Sequence, residues 1–170
     1  GDSPEQALVR KAWLNEVHLA GSLQHPYIVA VYDAGVSAES AYLVMEYLSG
    51  EDLAETLRRS SGLPISTCIQ ILRQLGEALT FAHERGVIHR DLKPENIMLG
   101  EFGEVLVMDW GLAASVVDNG KIGRLTSANA AGGTPAYMAP EMATGNVELI
   151  GYRSDVYLLG AILYEIVTGL

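Results

Sequence analysis

Helical periodicity marks four segments of the chain. In residues 3–23, apolar side chains recur at helical spacing behind a serine and a proline, which is a typical helix start. Residues 51–60 predict a short polar helix, and residues 61–86 predict a long amphipathic helix that ends at a glycine. Residues 153–170 are apolar on almost every side, a pattern typical of a buried central helix.

Strand patterns separate these helices. Residues 27–35 and 41–50 are β-branched and aromatic runs that end near glycine, so they predict two strands joined by a turn. Two shorter apolar runs, 97–99 and 105–108, flank the sequence GEFG and predict a hairpin. Residues 113–133 are small, polar and aperiodic, which predicts a long surface loop.

Composition and charge exclude several classes of protein. With 170 residues, 49% of them hydrophobic and 19% charged, the chain is typical of a soluble globular protein. Its net charge of −10 makes a nucleic acid an unsuitable partner, because phosphate contacts need clustered Lys and Arg. No apolar run is long enough to span a membrane, and the first residues lack the pattern of a signal peptide. A single cysteine, Cys68, excludes an internal disulfide.

Polar side chains gather at the base of the predicted hairpin. Asn96 directly precedes its first strand and Asp109 directly follows its second, and antiparallel pairing brings such flanking residues within roughly 5 Å. Asp91 lies on the loop that enters the same edge. Two carboxylates and an amide oxygen predict a site for a hard divalent cation. Such a cation and the nearby Lys93 would supply the positive field that a polyphosphate needs.

Each of these residues also has a plain structural interpretation. Asp91 and Asn96 are common turn formers, and Asp109-Trp110-Gly111 is compatible with a β-turn. Taken singly, the residues favour that interpretation. Taken together they favour a functional site, because they belong to a larger pattern of motifs.

Three motifs carry a resemblance to a known family. HRDLKPEN (89–96) is similar to the catalytic loop of protein kinases, and DWG (109–111) is similar to their metal-binding DFG motif, with Trp in place of Phe. GTPAYMAPE (133–141) resembles the segment that ends in their APE motif. The sequences HPYIVAVYDAG, VMEY and SDVYLLGAILYE resemble small-lobe strands, the hinge and the central helix. The chain therefore resembles the protein kinase family from about residue 5 to residue 170, most closely its serine/threonine branch in the form found in bacteria.

The resemblance implies an α+β, bilobal protein-kinase fold. Residues 1–46 would form part of the small lobe, and residues 47–170 would form part of the large lobe, from the hinge to the central helix. These residues include no glycine-rich GxGxxG and no strand with the phosphate-gripping lysine, and helices that would cover 156–168 are also missing. We therefore expect a truncated catalytic domain that is inactive by itself.

The resemblance also implies the catalytic residues of a kinase that uses ATP and Mg²⁺. Asp91 would accept or orient the hydroxyl of a protein Ser or Thr, and Lys93 would steady the transferred γ-phosphoryl group. Asn96 and Asp109 would hold the magnesium ions. Thr134 would bond the catalytic aspartate and shape the acceptor pocket.

A second set of residues is implied to contact the nucleotide. Glu16 would pair with the small-lobe lysine that grips the phosphates. Met45 takes the gatekeeper position, Glu46 and Leu48 would offer backbone groups to the adenine, and Asp52 would reach the ribose.

Other positions are implied to organise the site. Arg90 marks kinases controlled by activation-loop phosphorylation, with Thr126 and Ser127 as candidate acceptors. Asp155 would bond the backbone of the catalytic loop, although a role as helix N-cap explains it equally well. Residues of the hydrophobic spine would be His89, Trp110, Ala20 and Val31.

Three functions are compatible with these features. The first is an ATP-dependent serine/threonine protein kinase; the second is a pseudokinase that binds partners without catalysis. The third is a small-molecule phosphotransferase with a kinase-like fold. The four residues Asp91, Lys93, Asn96 and Asp109 favour a catalyst, and the segment 133–141 favours a protein substrate. The resemblance implies a cytoplasmic location, including the cytoplasmic part of a longer membrane-anchored protein, and it indicates no oligomeric state.

Overall fold

The structure is a computed structural model. It describes residues 17, 21–36, 41–60, 62–116, 125–126, 130 and 132–170. Most of the predicted helix over 3–23 and the turn between the first two predicted strands lie outside the described residues.

In the described part of the chain, groups of strands are followed twice by pairs of helices. In chain order they are β1 (Val31–Val36), β2 (Ala41–Met45), β3 (Gly50–Asp52), α1 (Leu53–Arg59), α2 (Ile65–His83), β4 (Val87–Ile88), a 3₁₀ turn (Pro94–Asn96), β5 (Ile97–Gly100), β6 (Val105–Val107), β7 (Ala114–Ser115), α3 (Pro140–Ala143) and α4 (Tyr152–Thr168). The strands form three small antiparallel sheets, ordered β1-β2, β3-β5-β6 and β4-β7. The hairpin and the helices α1, α2 and α4 are confirmed. The predicted strand pair is confirmed as a pair, but its first strand begins at Val31 instead of residue 27 and its second ends at Met45 instead of residue 50.

Helices α1 and α2 form where the sequence predicts them. The Asp52 carboxylate caps α1 by accepting a hydrogen bond from the Glu55 backbone N–H at 2.7 Å. The apolar stripe of α2 is buried at helical spacing and forms the centre of the core, through Cys68, Ile71, Leu75, Ala78, Leu79 and Ala82. This helix is therefore the support on which the site-bearing hairpin rests.

Two glutamines of α2 fasten the tip of the β5–β6 hairpin. The side-chain amides of Gln70 and Gln74 donate to the Gly103 carbonyl at 2.8 and 3.1 Å, and the Gln74 oxygen accepts from the Val105 N–H at 3.0 Å. Gly103 has φ of +87°, a left-handed conformation that favours glycine. The hairpin is thus fixed at the end opposite to Asn96 and Asp109.

A short backbone contact joins the predicted small-lobe segment to the hairpin. The Val29 N–H donates to the Val107 carbonyl at 3.0 Å, and the Val107 N–H donates to the Tyr27 carbonyl at 2.9 Å. Ile28 forms an isolated parallel bridge with Val107. Residues 27–29 therefore pack directly on β6.

Burial of α4 differs from the prediction. One face is buried, through Ser154, Asp155, Leu158, Ile162 and Ile166. The opposite face exposes Val156, Tyr157, Leu163, Tyr164 and Val167. The prediction of a helix is right, but burial on every side is wrong for the described residues. No helix in this part of the chain is long and apolar enough to cross a membrane.

The predicted surface loop over 113–133 is wrong at its beginning. Ala114 and Ser115 form β7, which pairs with β4, and both residues are buried. Leu125 and Ala130 are also buried. A strand of two small residues has no periodicity, so the pattern did not distinguish it from a loop.

Candidate active site

The backbone of the predicted catalytic loop is bonded to one buried carboxylate. Asp155 is fully buried on α4, and its two oxygens accept the backbone N–H groups of His89 and Arg90, each at 2.9 Å. The His83 ring lies 2.7 Å from the same carboxylate. The predicted bond from Asp155 to the loop backbone is confirmed. The N-cap alternative is wrong, because Gly151 is the N-cap of α4.

Three predicted catalytic side chains meet above this loop. The Thr134 hydroxyl donates to Asp91 Oδ1 at 2.8 Å, and Lys93 Nζ donates to Thr134 Oγ1 at 3.0 Å. Lys93 Nζ also lies 3.5 Å from Asp91 Oδ2. A carboxylate, an ammonium and a hydroxyl are thereby fixed at one point, although Thr134 is 43 residues from Asp91 in sequence. Such a cluster can accept a proton and bind an anion.

A glycine allows Thr134 to approach Asp91. Gly133 has φ of +119°, and a Cβ at this position would lie 3.1 Å from the Arg90 carbonyl oxygen and 3.1 Å from Met142 Cε. Both the backbone conformation and the close approach favour glycine. The GT pair of the motif therefore has a steric explanation.

Asn96 and Asp109 flank the β5–β6 hairpin at its base, Asn96 before β5 and Asp109 after β6. The Asn96 side chain is buried, and its amide nitrogen donates to the Asp91 carbonyl at 2.8 Å and to Asp91 Oδ2 at 3.3 Å. Met108, not Asp109, lies opposite Asn96, since β6 ends one residue before the predicted end and the Met108 N–H donates to the Asn96 carbonyl at 2.9 Å. Asp109 follows with φ of 55°, and its exposed carboxylate accepts the Gly111 N–H at 3.2 Å.

These donors suit a magnesium ion better than a transition metal. The described residues contain no cluster of three or more His, Cys, Asp or Glu side chains that could hold a metal alone. The amide nitrogen of Asn96 is occupied by Asp91, which leaves its oxygen as the ligating atom. Mg²⁺ takes one or two protein oxygens and completes its shell with phosphate oxygens and water, so the donor set fits.

Two aromatic side chains form the buried floor of the site. The rings of His89 and Trp110 lie 4.6 Å apart, so the two predicted spine members are in contact. His89 Nδ1 accepts the Asp91 N–H at 3.2 Å, and His89 Nε2 lies 3.1 Å from the Met108 carbonyl. This pattern requires a neutral imidazole with its proton on Nε2. Complete burial lowers the pKa of His89 and keeps the ring neutral. The buried indole N–H of Trp110 has no hydrogen-bond partner among the described residues.

Arg90 connects the catalytic loop to the activation segment. Its backbone has φ of 73°, its side chain is buried, and Nη2 donates to the Ala130 carbonyl at 2.8 Å. Burial lowers the pKa of Arg90, with the Asp155 charge opposing that shift. Thr126 is exposed, whereas Ser127 lies outside the described residues. Phosphorylation of either residue stays a prediction.

The predicted nucleotide contacts form a separate group. Glu16 lies outside the described residues, and Met45 is exposed at the end of β2. The Glu46 N–H donates to the Ala30 carbonyl at 2.8 Å, which leaves the Glu46 carbonyl for a ligand. Leu48 is half-buried. The Asp52 carboxylate caps α1, a role that the sequence prediction did not include.

Three supporting residues were not predicted from the sequence. Gln74 interrupts the apolar stripe of α2, and this buried polar position was the signal for its contact with the hairpin. His83 contacts Asp155, which is 72 residues away, and the sequence analysis did not predict this contact. The carboxylate of Glu141 accepts the Ser154 hydroxyl at 2.6 Å, a contact that the sequence analysis did not predict.

Comparison with known proteins agrees with the geometry. A family model described as protein kinase domain matches residues 2–170. A serine/threonine-protein kinase PknB from Mycobacterium leprae is 42% identical over 158 residues, covering 91% of this chain and 25% of the relative. The PknB of Mycolicibacterium smegmatis is 43% identical over 159 residues, with the same two coverages. The PknD of Protochlamydia amoebophila is 34% identical over 198 residues, covering 98% of this chain and 19% of the relative. The chain thus spans about a quarter or less of the length of these relatives, and it belongs to the protein kinase domain family.

Proposed function

We propose that this chain is the catalytic part of a serine/threonine protein kinase that transfers the γ-phosphoryl group of Mg-ATP to protein hydroxyls. The observation that carries the proposal is the triple contact of Asp91, Thr134 and Lys93. The names of the relatives, all serine/threonine-protein kinases, support the same reaction class.

Asp91 is the group that receives or orients the substrate hydroxyl. Its Oδ1 is engaged by Thr134, and its Oδ2 lies near Asn96 and Lys93. These contacts hold the carboxylate in one orientation before substrate arrives, which reduces the reorganisation needed in the reaction. The hydroxyl of an incoming Ser or Thr would donate to this carboxylate as its oxygen attacks the phosphorus.

Lys93 and the metal-binding pair supply positive charge on the phosphate side. Lys93 Nζ is within 3.0 Å of Thr134 Oγ1, so the ammonium sits beside the acceptor position and would neutralise charge on the transferred group. Asn96 and Asp109 would hold Mg²⁺ through side-chain oxygens. When bound, the ion neutralises phosphate charge.

The nucleotide would lie against the residues that precede α1. We assign Glu46 and Leu48 to the adenine through their backbone groups, Met45 to the gatekeeper position, and Asp52 to the ribose. Glu16 would pair with a phosphate-gripping lysine. The same proposal divides the chain into a small-lobe part, 1–46, and a large-lobe part, 47–170, and assigns it to the cytoplasm.

Phosphate transfer by the natural protein that carries this chain tests the proposal. Transfer from labelled ATP to a generic Ser/Thr protein is measured with and without Mg²⁺ for the unchanged protein, Asp91→Asn and the exposed-site control Glu84→Gln. We expect Asp91→Asn to lose about 10²- to 10⁴-fold in rate and the control to lose nothing.

Thr134 gives a second, finer test. Thr134→Val removes the hydroxyl and should lower the rate of phosphate transfer. Thr134→Ser keeps a hydroxyl that can bond Asp91, so its rate should be close to that of the unchanged protein. Absence of transfer from the folded, unchanged protein, including after treatment with an activating kinase, would contradict the proposal and favour a non-catalytic binding module.

A further inference from the structure

A cleft of about 610 Å³ lies between residues 46–49 and the tip of the β5–β6 hairpin, away from Asp91, Lys93 and Thr134. It is bordered by residues 46–49 after β2, by the loop 23–26 and by the tip of the β5–β6 hairpin, 100–104. None of Asp91, Lys93, Asn96, Asp109 and Thr134 is among its described lining residues, whereas Glu46 and Leu48, assigned above to the adenine through their backbone groups, also border it. The loop 23–26 and the hairpin tip have no part in the proposed catalysis, so their side of the cleft needs another explanation.

The cleft is acidic. Glu46, Glu101 and Glu104 line it, and no Lys or Arg occurs among its described lining residues. Glu101 and Glu104 are exposed, while Glu46 is half-buried. With a net charge of −10 on the chain, the cleft favours a cationic occupant and disfavours a second copy of this chain.

The rim of the cleft is aromatic. Phe102 is 89% exposed, Tyr47 92% and Tyr32 68%, and all three line the cleft. Its deeper wall is apolar and includes Ile28 and Leu106. Exposed aromatic rings next to carboxylates suit an occupant with both basic and apolar side chains, because Arg and Lys pair with carboxylates and stack on aromatic faces.

The hairpin side of the cleft is preformed. Gln70 and Gln74 hold the Gly103 carbonyl, and the Phe102 N–H donates to the Glu104 carboxylate at 3.0 Å. The Ser49 hydroxyl donates to Glu101 at 3.0 Å and so connects the two sides. A surface that is already ordered loses little conformational entropy on binding, which favours docking.

We propose that this cleft docks a segment of the protein substrate that carries Arg or Lys together with apolar side chains, outside the sequence that is phosphorylated. The basic side chains would pair with Glu101 and Glu46 and stack on Tyr47 and Phe102. The apolar side chains would contact Ile28 and Leu106. This inference rests on the proposed function, since it concerns the substrate of the same protein.

Two substrate peptides with the same acceptor serine test the docking segment. One carries a flexible linker and an alternating Arg-Leu segment; the other carries a Gly-Ser segment of equal length. For the natural protein we expect KM to be about tenfold lower for the Arg-Leu peptide, with kcat unchanged. Glu101→Lys and Phe102→Ser, both at exposed positions, should remove this difference without changing KM for the Gly-Ser peptide. The matched control Glu84→Lys should preserve the difference.

Direct binding separates this inference from the proposed function. Fluorescence anisotropy of a labelled Arg-Leu peptide without an acceptor serine reports docking in the absence of transfer. Binding that is lost in Glu101→Lys supports docking even if no transfer occurs. Transfer with equal KM for both peptides, or binding that persists in both cleft variants, would overturn docking while leaving the kinase assignment intact. A dimer that dissociates in Glu101→Lys would also overturn it, since a second copy would then occupy the cleft.

Discussion

The catalytic loop and the β1–β2 ribbon are held together in different ways. His89 and Leu92 of the loop are fully buried, as are Val87 and Ile88 of β4 directly before it, and the loop backbone is bonded to Asp155. Among the described residues, the ribbon is a sheet of two strands, and it exposes several large side chains, which are Tyr32, Tyr42, Leu43, Val44 and Met45. The residues proposed for catalysis therefore lie in a buried region that is held by hydrogen bonds. Met45, a proposed nucleotide contact, lies instead in a two-stranded ribbon, and such ribbons are only marginally stable in isolation.

Asp155→Ala should have the largest effect on stability, because it removes the carboxylate that holds the backbone of the catalytic loop. The substitution leaves the N–H groups of His89 and Arg90 and the His83 ring without their acceptor. We expect the free energy of unfolding to fall by about 3–5 kcal/mol, measured by urea denaturation. Val44→Ala, at an exposed position of the ribbon, is the matched control and should cost less than about 1 kcal/mol. Equal losses for the two variants would contradict the comparison.

Gly133→Ala should have the next largest effect. The new Cβ would meet the Arg90 carbonyl and Met142, and φ of +119° is unfavourable for alanine. A loss of about 1–3 kcal/mol in stability is expected, together with slower phosphate transfer because Thr134 shifts away from Asp91. Gly76→Ala in α2 has no atom within 4 Å of the new Cβ and should instead stabilise the protein by about 0.5–1 kcal/mol.

Trp110→Phe should have a small effect because two terms oppose each other. The change removes a buried N–H that has no partner among the described residues, which is favourable, but it also removes packed volume next to His89. We expect a net change below about 1 kcal/mol in calorimetry, against about 3–5 kcal/mol for Trp110→Ala. A large loss for the Phe variant would mean that the indole N–H has an acceptor in solution.

The pH dependence of stability should give the smallest effect. Burial lowers the pKa of His89 below the 6.5 of an unfolded chain, so the folded state binds fewer protons. The contribution of His89 is thus fully present above pH 6.5 and is lost as the pH falls toward its lower folded-state pKa. Urea denaturation between about pH 7.5 and pH 5.5 should show a steeper loss for the unchanged protein than for His89→Gln. His25→Gln is the comparison variant: the pKa of His25 is also lowered by burial, but His25 is only half-buried, so its removal should flatten the slope less. An identical slope for the unchanged protein and His89→Gln would contradict the assignment.

Most of the catalytic loop and of the hairpin that follows it could be predicted from the sequence. Asp91, Lys93 and Asn96 lie within one short motif, so their proximity follows from local spacing, and the Gly-bounded apolar runs predict the hairpin. The motif with Thr134 was identified as well, and the structure brings it to Asp91.

What could not be predicted depends on contacts across long sequence separations. The bond between Gln74 and the hairpin joins residues 31 apart, and that between His83 and Asp155 joins residues 72 apart. Neither has a local signal beyond one polar residue on a mainly apolar helix face. Strand β7 has only two residues, so no alternation was available to predict it.

The position of Asp155 has a consequence for the order of events during protein synthesis. Its two bonds to the loop close segments of 65 and 66 residues, and its contact with His83 on α2 closes one of 72, so all three are among the long-range contacts that form slowly. On the ribosome the motif HRDLKPEN is made many residues before its acceptor. The loop can reach its bonded conformation only once α4 has emerged, and a nascent kinase domain therefore cannot assemble its catalytic loop until that helix has been translated.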